Sequence, residues 1–490
     1  MRKPFASALL FLGTSSLAGS AVAGGFSTAR FGGEHGNPMA DNPASIYYNP
    51  GAIAASDGIT LMGDVNLAFR WASFEHQHNT ATGDLDEPAD GIGANYGEAT
   101  LFNVRAAPFL GGTVTIPISD GFAITPGLAA FIPFGGSSSW DKNEAFADHP
   151  THPGAFDGVQ RWYAITGQIQ TIYLSAAVAV RLADIVYIGV SGGAALSSIN
   201  TIRARTAAGD NAMGDREGRA WLDASAWDAQ IGGGVLITPF VEDRDRLRIG
   251  LSYQAPPGIM DLDLEGKLVK HLNRAVVGDQ PGEEITVHQN YPDIWRIGAS
   301  FRPMNELELR LFGDWQRWSL FSEQCIANVG ERCEVSGDFD GPPDQYGAPA
   351  NGTNPQVNLP RNWNDSFGIR FGLSYWVIPD VEIFGGVGYD SNAVPDSNLD
   401  AALTDFHDVS VAGGARIRFV EQLSAALSYT HLFYVPRDTT GGSHNALYQG
   451  PSNGPDAGGR YTQTVGVVNV NLIANFDPFV KTEVEAETPK

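Results

Sequence analysis

Charge is scarce in this chain. Only 18% of its 490 residues are Asp, Glu, Lys or Arg, and 55 acidic residues outnumber 31 basic ones. With a net charge of −24 there is little to neutralise phosphates, so nucleic acid is excluded as a partner. Cysteine is nearly absent: Cys325 and Cys333 are the only two, with seven residues between them in a polar segment. That spacing suits a small loop-stapling disulfide, Cys325–Cys333, in an oxidising compartment, and no further Cys or His stands close enough to complete a zinc site. Past the N-terminal region, no run of about eighteen uncharged apolar residues occurs. The nearest, 172–196, is broken by Arg181 and Asp184, which excludes a transmembrane helix. Catalytic signatures are missing as well: there is no GxSxG elbow, HExxH, P-loop or EF-hand. The chain therefore reads as a non-enzyme without metal or cofactor. A hydrolase with a dispersed Ser/His site and a secreted β-protein are the readings of a different class.

What the chain has is glycine and alternation. There are 58 glycines and 29 prolines beside 43% hydrophobic residues, too much glycine for a helical protein and too much apolar content for a disordered one. Residues 1–23 have the form of an export signal: Arg2 and Lys3, an apolar stretch from Phe5 to Leu17, and Ala21-Val22-Ala23 before the cut. Period-two patterns follow. Leu174, Ala176, Val178, Val180 and Leu182 oppose Thr171, Tyr173, Ser175 and Arg181, and Leu247, Ile249, Leu251 and Tyr253 oppose Arg248, Ser252 and Gln254. The same pattern sets Phe367, Ile369, Phe371 and Leu373 against Arg370, and Val409, Val411, Ile417 and Phe419 against Arg416 and Arg418. Many runs reach the nine or more residues, roughly, that a tilted strand needs to cross a bilayer, and only closure satisfies every backbone group in lipid. We expect an all-β fold: a transmembrane antiparallel β-barrel of about fourteen strands over residues 58–476. Short turns at one end and long loops at the other fit a bacterial outer membrane, with residues 477–490 as a disordered periplasmic tail.

On this reading Arg181, Arg248, Arg310, Arg370, Arg416 and Arg418 project into the lumen. Two roles stand open for them: pairing with the carboxylate of a ligand, or pairing with luminal Asp and Glu to hold a plug. Trp71, Trp162, Tyr163, Trp315, Trp318, Trp363, Tyr375, Trp376, Tyr429, Phe433 and Tyr434 cluster near strand ends, as interfacial girdles do. His76 with His78 and His149 with His152 read as solvated loop histidines rather than metal ligands.

Between the signal and the first strand lies Gly24–Ser56, rich in Gly, Asn and Pro, with no helix or strand pattern of useful length. A barrel needs no such segment to close its sheet, and we expect residues 24–57 to fold into the lumen as a hatch. Its motif Ala40–Gly51, ADNPASIYYNPG, together with Gly25-Phe26, Pro133-Phe134-Gly135, Tyr291-Pro292-Asp293-Ile294-Trp295 and Gly388-Tyr389-Asp390-Ser391-Asn392, carries a likeness in order along the mature chain. The sequence resembles the outer-membrane long-chain fatty acid transporter family, which also contains aromatic-hydrocarbon uptake channels. The resemblance implies a fourteen-stranded, monomeric barrel with an N-terminal hatch. It implies passive, gated uptake of a fatty acid or other hydrophobic ligand through loop capture, a luminal pocket, hatch movement and lateral exit into outer-membrane lipid. It assigns ligand gating to Phe26 and the hatch motif to Asn49, Pro50 and Gly51, where the family has Ala in place of Gly51. It places the kinked strand beside the exit at about 121–134.

Overall fold

The computed structural model describes residues 30–76, 93–206, 217–260, 262–271, 282–331, 357–441 and 457–478. Over these residues the chain is a closed, fourteen-stranded antiparallel β-barrel. The strands are β1 Gly58–His76, β2 Gly97–Ser119, β3 Phe122–Ser139, β4 Thr166–Leu182, β5 Val186–Thr206 and β6 Glu217–Ile237. Four strands in the middle come in two pieces: β7 (Leu247–Gln254 and Leu262–His271), β8 (Glu283–Gln289 and Ile294–Met304), β9 (Leu307–Gln316 and Glu323–Asn328) and β10 (Val357–Pro360 and Ser366–Ile378). The circle is completed by β11 Val381–Asp390, β12 Asp408–Val420, β13 Leu423–Tyr434 and β14 Gly459–Phe476. Closure is made by β1, which pairs with β2 from Gly58↔Thr115 to His76↔Gly97 and with β14 from Ile59↔Phe476 to His76↔Gly459.

Alternation decides which side chains see the outside. Leu174, Val178 and Leu182 are exposed outward, as are Phe367, Ile369, Phe371 and Leu373, whereas Thr171, Tyr173 and Ser175 are buried inward. An apolar outer belt with a polar interior is the pattern that lipid imposes on a spanning sheet. No helix is long and apolar enough to cross a membrane among the described residues, a fact that does not bear on strands.

Local breaks follow turn chemistry. Pro256 and Pro257, which have no N–H, and Gly258 at φ 73° interrupt β7. Pro292 falls in the break in β8. β2 and β3 run further toward the long loops than alternation indicates, because Gly135–Ser139, a loop by composition, continues in register with β4 up to Ser139↔Thr166. The aromatic girdle is only partly as expected. Trp71, Trp315, Tyr375, Tyr429 and Phe433 are exposed outward, but Trp162, Tyr163, Trp318, Trp363 and Tyr434 are buried. Trp162 and Trp318 stand in 3₁₀ turns, outside the two-residue rhythm that would aim them at lipid. The histidines differ too: His76 and His152 are buried, and His76 Nδ1 meets the Asn95 carbonyl. Cys325 is buried and disulfide-bonded; Cys333, like Phe26, His78, the signal and most of the tail, lies outside the described residues.

Candidate functional site: a filled lumen, an outer cleft and a slot in the wall

The chain from Arg30 to Asp57 packs against the inner faces of the strands. Asn42 accepts the Ala44 N–H at 3.0 Å and opens a single helical turn, Ser45–Tyr48. Asn49 then caps a 3₁₀ helix, Pro50–Ala55, accepting the Gly51 N–H at 3.1 Å. The same amide donates to the Pro38 carbonyl at 2.7 Å and to the Val235 carbonyl of β6 at 3.0 Å. One fully buried side chain thus folds the segment and fixes it to the wall. The fit is close enough that side chains are excluded. A Cβ on Gly51 would stand 2.6 Å from the Gly234 carbonyl oxygen and 2.9 Å from that of Tyr187. Conversely, a Cβ on Gly189 would collide with Pro50, on Gly234 with Asn49 and on Gly250 with Pro38. Glycines on β5, β6 and β7 let the segment's backbone lie directly on the sheet.

Further ties come from around the circle. Ser252 Oγ donates to the Tyr48 carbonyl at 2.5 Å, and the Arg296 guanidinium lies over the Tyr47 ring at 4.3 Å. Across the closure, Asp64 of β1 accepts the Gly32 N–H at 3.0 Å and the Asn469 and Asn471 amides of β14 at 2.8 and 3.2 Å.

The six arginines selected from the sequence all meet protein carboxylates. Arg181 binds Asp57 at 2.8 Å and the Ala54 and Ser56 carbonyls at 2.6–2.9 Å. Arg248 binds Asp41 at 3.0 Å and also Asp245. Arg310 meets Glu308 at 2.9 Å, Arg370 meets Asp314 and Asp390 at 2.9 and 2.7 Å, and Arg416 meets Glu382 at 3.5 Å. Arg418 lies at the turn end, exposed, and pairs with Asp380 at 2.6 Å.

Glu382 also holds His35 of the lumen segment, Nε2 to Oε1 at 2.7 Å. Burial, aided by the Arg416 charge and opposed by Glu382, lowers the His35 pKa from 6.5 to about 4. The seated segment thus holds His35 neutral, while a released segment binds a proton below pH 6.5. Stability of the seat is complete above 6.5 and is lost as pH falls toward 4. Ion conductance across planar bilayers is accordingly expected to rise over that interval, and His35→Gln to flatten the rise; a wild-type conductance independent of pH there would refute the link.

At the loop end of the barrel an apolar-walled cleft encloses about 1050 Å³ of empty space, counting its open mouth. Its walls include Ile169, Ile199, Leu222, Leu268, Ile326 and Leu359, one from each of β4, β5, β6, β7, β9 and β10. Three arginines border it. Arg361 is committed to Asp400 and Gln324, both at 2.9 Å. Arg70 donates to Gln463 and Thr404 at 2.8 Å and to the Ser137 carbonyl at 2.9 Å, none of them charged. For Arg203 no hydrogen bond or ion pair occurs among the described residues. None of the three was selected from the sequence. Ile199, Thr201 and Arg203 do share one alternating face of β5, a signal hidden by the nearby loop.

Beside the cleft, whose lining includes Ser137, the wall changes character. The β2–β3 ladder runs from Ser119↔Phe122 only as far as Phe109↔Phe131, although β2 stays in register with β1 to Gly97 and β3 with β4 to Ser139. Between Phe131 and Phe134 the register of β3 on β4 shifts by one, a bulge at Ile132-Pro133. This is the strand that the resemblance singled out. The two strands meet again through the Asp141 N–H on the Thr100 carbonyl at 2.9 Å. In the slot between, side chains take over. Asn103 Nδ2 donates to the Ser137 carbonyl at 2.9 Å and Arg105 Nε to Ser137 Oγ at 2.6 Å. Beneath the slot Phe31, Phe109, Phe131 and Tyr47 pack ring to ring at 5.3–6.0 Å.

A closed barrel with an apolar outer belt, with the chain ahead of the first strand packed on its inner face and an apolar cleft among the loops, has the form of an outer-membrane channel. The chain belongs to the outer membrane transport protein family (OMPP1/FadL/TodX), whose sequence profile matches residues 12–446. A FadL homologue from Pseudomonas aeruginosa superposes with a TM-score of 0.67 at 20% identity, over 94% of this chain and 98% of that one. The toluene transporter TbuX of Ralstonia pickettii gives 0.58 at 15% identity, over 94% and 99%. In sequence the chain is 21% identical to a putative outer membrane protein of Neisseria meningitidis serogroup B over 449 residues, 86% of this chain and 89% of that protein. The protein is thus an outer-membrane channel in a family that transports hydrophobic compounds.

Proposed function

We propose that this channel takes up hydrophobic molecules with a carboxylate head, long-chain fatty acids foremost, by passive diffusion gated by the hatch of residues 24–57. The observation that carries the reading is Arg203, a cation without an ion-pair partner among the described residues, at the edge of an apolar cleft. An alkyl chain gains about 0.8 kcal/mol for each methylene moved from water to apolar walls, and a guanidinium adds a charge-assisted pair for the head. The ligand enters the cleft, descends as the hatch shifts, with Phe26 in the gating role that the resemblance assigns it, and leaves through the slot between β2 and β3 into lipid. The bonds already made by the lumen arginines favour their structural role over ligand pairing. A second reading, uptake of monoaromatic hydrocarbons, draws support from the ring cluster of Phe31, Tyr47, Phe109 and Phe131 under the slot and from the likeness to a toluene transporter.

Uptake of labelled oleate and labelled toluene by cells with and without the chain separates the readings. The expected result is an oleate rate that depends on the protein. Oleate uptake equal in both strains, with toluene uptake lost in the deletion, would establish the second reading instead.

A further inference from the structure

We infer a second carboxylate station in the slot between β2 and β3, formed by Arg105 with Asn103 and Ser137, which receives the ligand's head as its tail enters the bilayer. The inference rests on the fatty acid reading above and adds the route of the head group.

Three observations lead to it. The first is position. Arg105 lies on β2 between the last ladder pair, Phe109↔Phe131, and the Thr100–Asp141 contact, where side chains alone span the two strands. Its sequence neighbours Phe102 and Val104 are exposed on the outer face, and Arg105 itself is only partly buried. By alternation Arg105 faces the lumen side of the slot, with Asn103, Ala107 and Phe109.

The second observation is the state of its charge. The lumen arginines 181, 248, 310, 370 and 416 each have a carboxylate within 4 Å. Among the described residues Arg105 has neutral partners only, the Ser137 hydroxyl at 2.6 Å and the Val104 carbonyl at 3.2 Å. A guanidinium offers five donors in a planar fork suited to a carboxylate, and these two bonds leave the rest available.

The third is continuity with the cleft. Arg70 borders the cleft and donates to the Ser137 carbonyl, while Arg105 donates to the hydroxyl of the same residue. Arg203, Arg70 and Arg105, none with an ion-pair partner among the described residues, therefore extend from the cleft to the slot. A carboxylate moving down this path exchanges one guanidinium for the next instead of crossing the wall uncompensated. A neutral hydrocarbon gains nothing from the path. The station would therefore distinguish fatty acids from hydrocarbons at the exit rather than at capture.

The test uses the full-length protein in liposomes, comparing Arg105→Gln and Arg105→Lys with wild type for transfer of oleate and of oleyl alcohol into the bilayer. Oleate binding to detergent-solubilised protein is measured alongside. The expected result is a fall of about tenfold in oleate transfer for Arg105→Gln, in line with the loss of a charge-assisted hydrogen bond. Oleyl alcohol transfer stays unchanged, oleate binding weakens less than transfer because the cleft around Arg203 is intact, and Arg105→Lys recovers part of the rate. Retention of heat-modifiable gel mobility identifies variants that form the barrel. Equal losses for acid and alcohol, with Lys no better than Gln, would make Arg105 a structural strut and overturn the inference; so would an undiminished oleate rate in Arg105→Gln. A wild-type protein that transfers oleyl alcohol but not oleate would instead overturn the fatty acid reading itself.

Discussion

Gly51→Ala is expected to open the pore. The added methyl would lie 2.6 Å from the Gly234 carbonyl oxygen and 2.9 Å from that of Tyr187, both backbone atoms in paired strands that cannot withdraw without breaking the ladder. Overpacking of this kind costs about 1–3 kcal/mol. It falls beside Asn49, whose three hydrogen bonds depend on the same approach. Raising the seated state by that amount increases the unseated population roughly 5- to 150-fold, so single-channel conductance and sensitivity to bulky antibiotics should climb while gel mobility stays that of a folded barrel. Asn49→Ala should act in the same direction by leaving the Pro38 and Val235 carbonyls without their donor. A Gly51→Ala channel as closed as wild type would show that the lumen segment is held elsewhere.

Arg203→Gln carries the second large effect. Apolar walls and Arg203, which forms no ion pair within 4 Å among the described residues although Asp400 of the Arg361 pair lines the same cleft, divide the work there: the walls hold the tail and the cation holds the head. Removing the charge should weaken oleate binding by about 10- to 100-fold, the worth of a hydrogen bond to a charged group, with binding of toluene unaltered. Titration of detergent-solubilised protein with both ligands reads the difference directly. Unaltered oleate affinity would remove Arg203 from the head-group site and with it the main support for fatty acids.

How much of this was legible in the sequence depends on what each feature rests on. The barrel was legible because alternation is a local property: Leu174, Val178 and Leu182 announce their face without knowledge of any partner strand. A segment packed inside the barrel was expected by elimination and by its likeness to a family motif. Its manner of attachment was not. The glycines that receive it, Gly189, Gly234 and Gly250, stand on three different strands, and nothing local says that their missing side chains make room for one another's neighbours. The substitution of Gly for Ala at position 51 looked like a departure from pattern, and the close approach of the Gly234 carbonyl supplies its reason.

The arginines show the same division. Periodicity correctly turned Arg181, Arg248, Arg310, Arg370 and Arg416 inward, but it could not see their acids, which come from other strands and from the lumen segment. It passed over Arg70, Arg105 and Arg203, whose interest lies in having no ion-pair partner among the described residues. Absence of a partner is a property of the folded molecule alone. The slot was hidden for a similar reason: Pro133 signals an irregularity, yet only the registers of β3 with both neighbours show that one ladder stops while the other continues.

Asp64 has a bearing on how such a molecule is made. Its carboxylate joins the first strand to the last and, in the same cluster, takes the Gly32 N–H of the segment inside. Ile59 lies beside Phe476, so this join awaits delivery of nearly the whole polypeptide and ranks among the most delayed contacts in the chain. A cylinder that closes around an empty bore leaves Asp64 facing lumen water, whereas one that closes around the segment gives it the Gly32 N–H instead. The pairing of the first strand with the last and the seating of the segment inside thus meet on a single carboxylate.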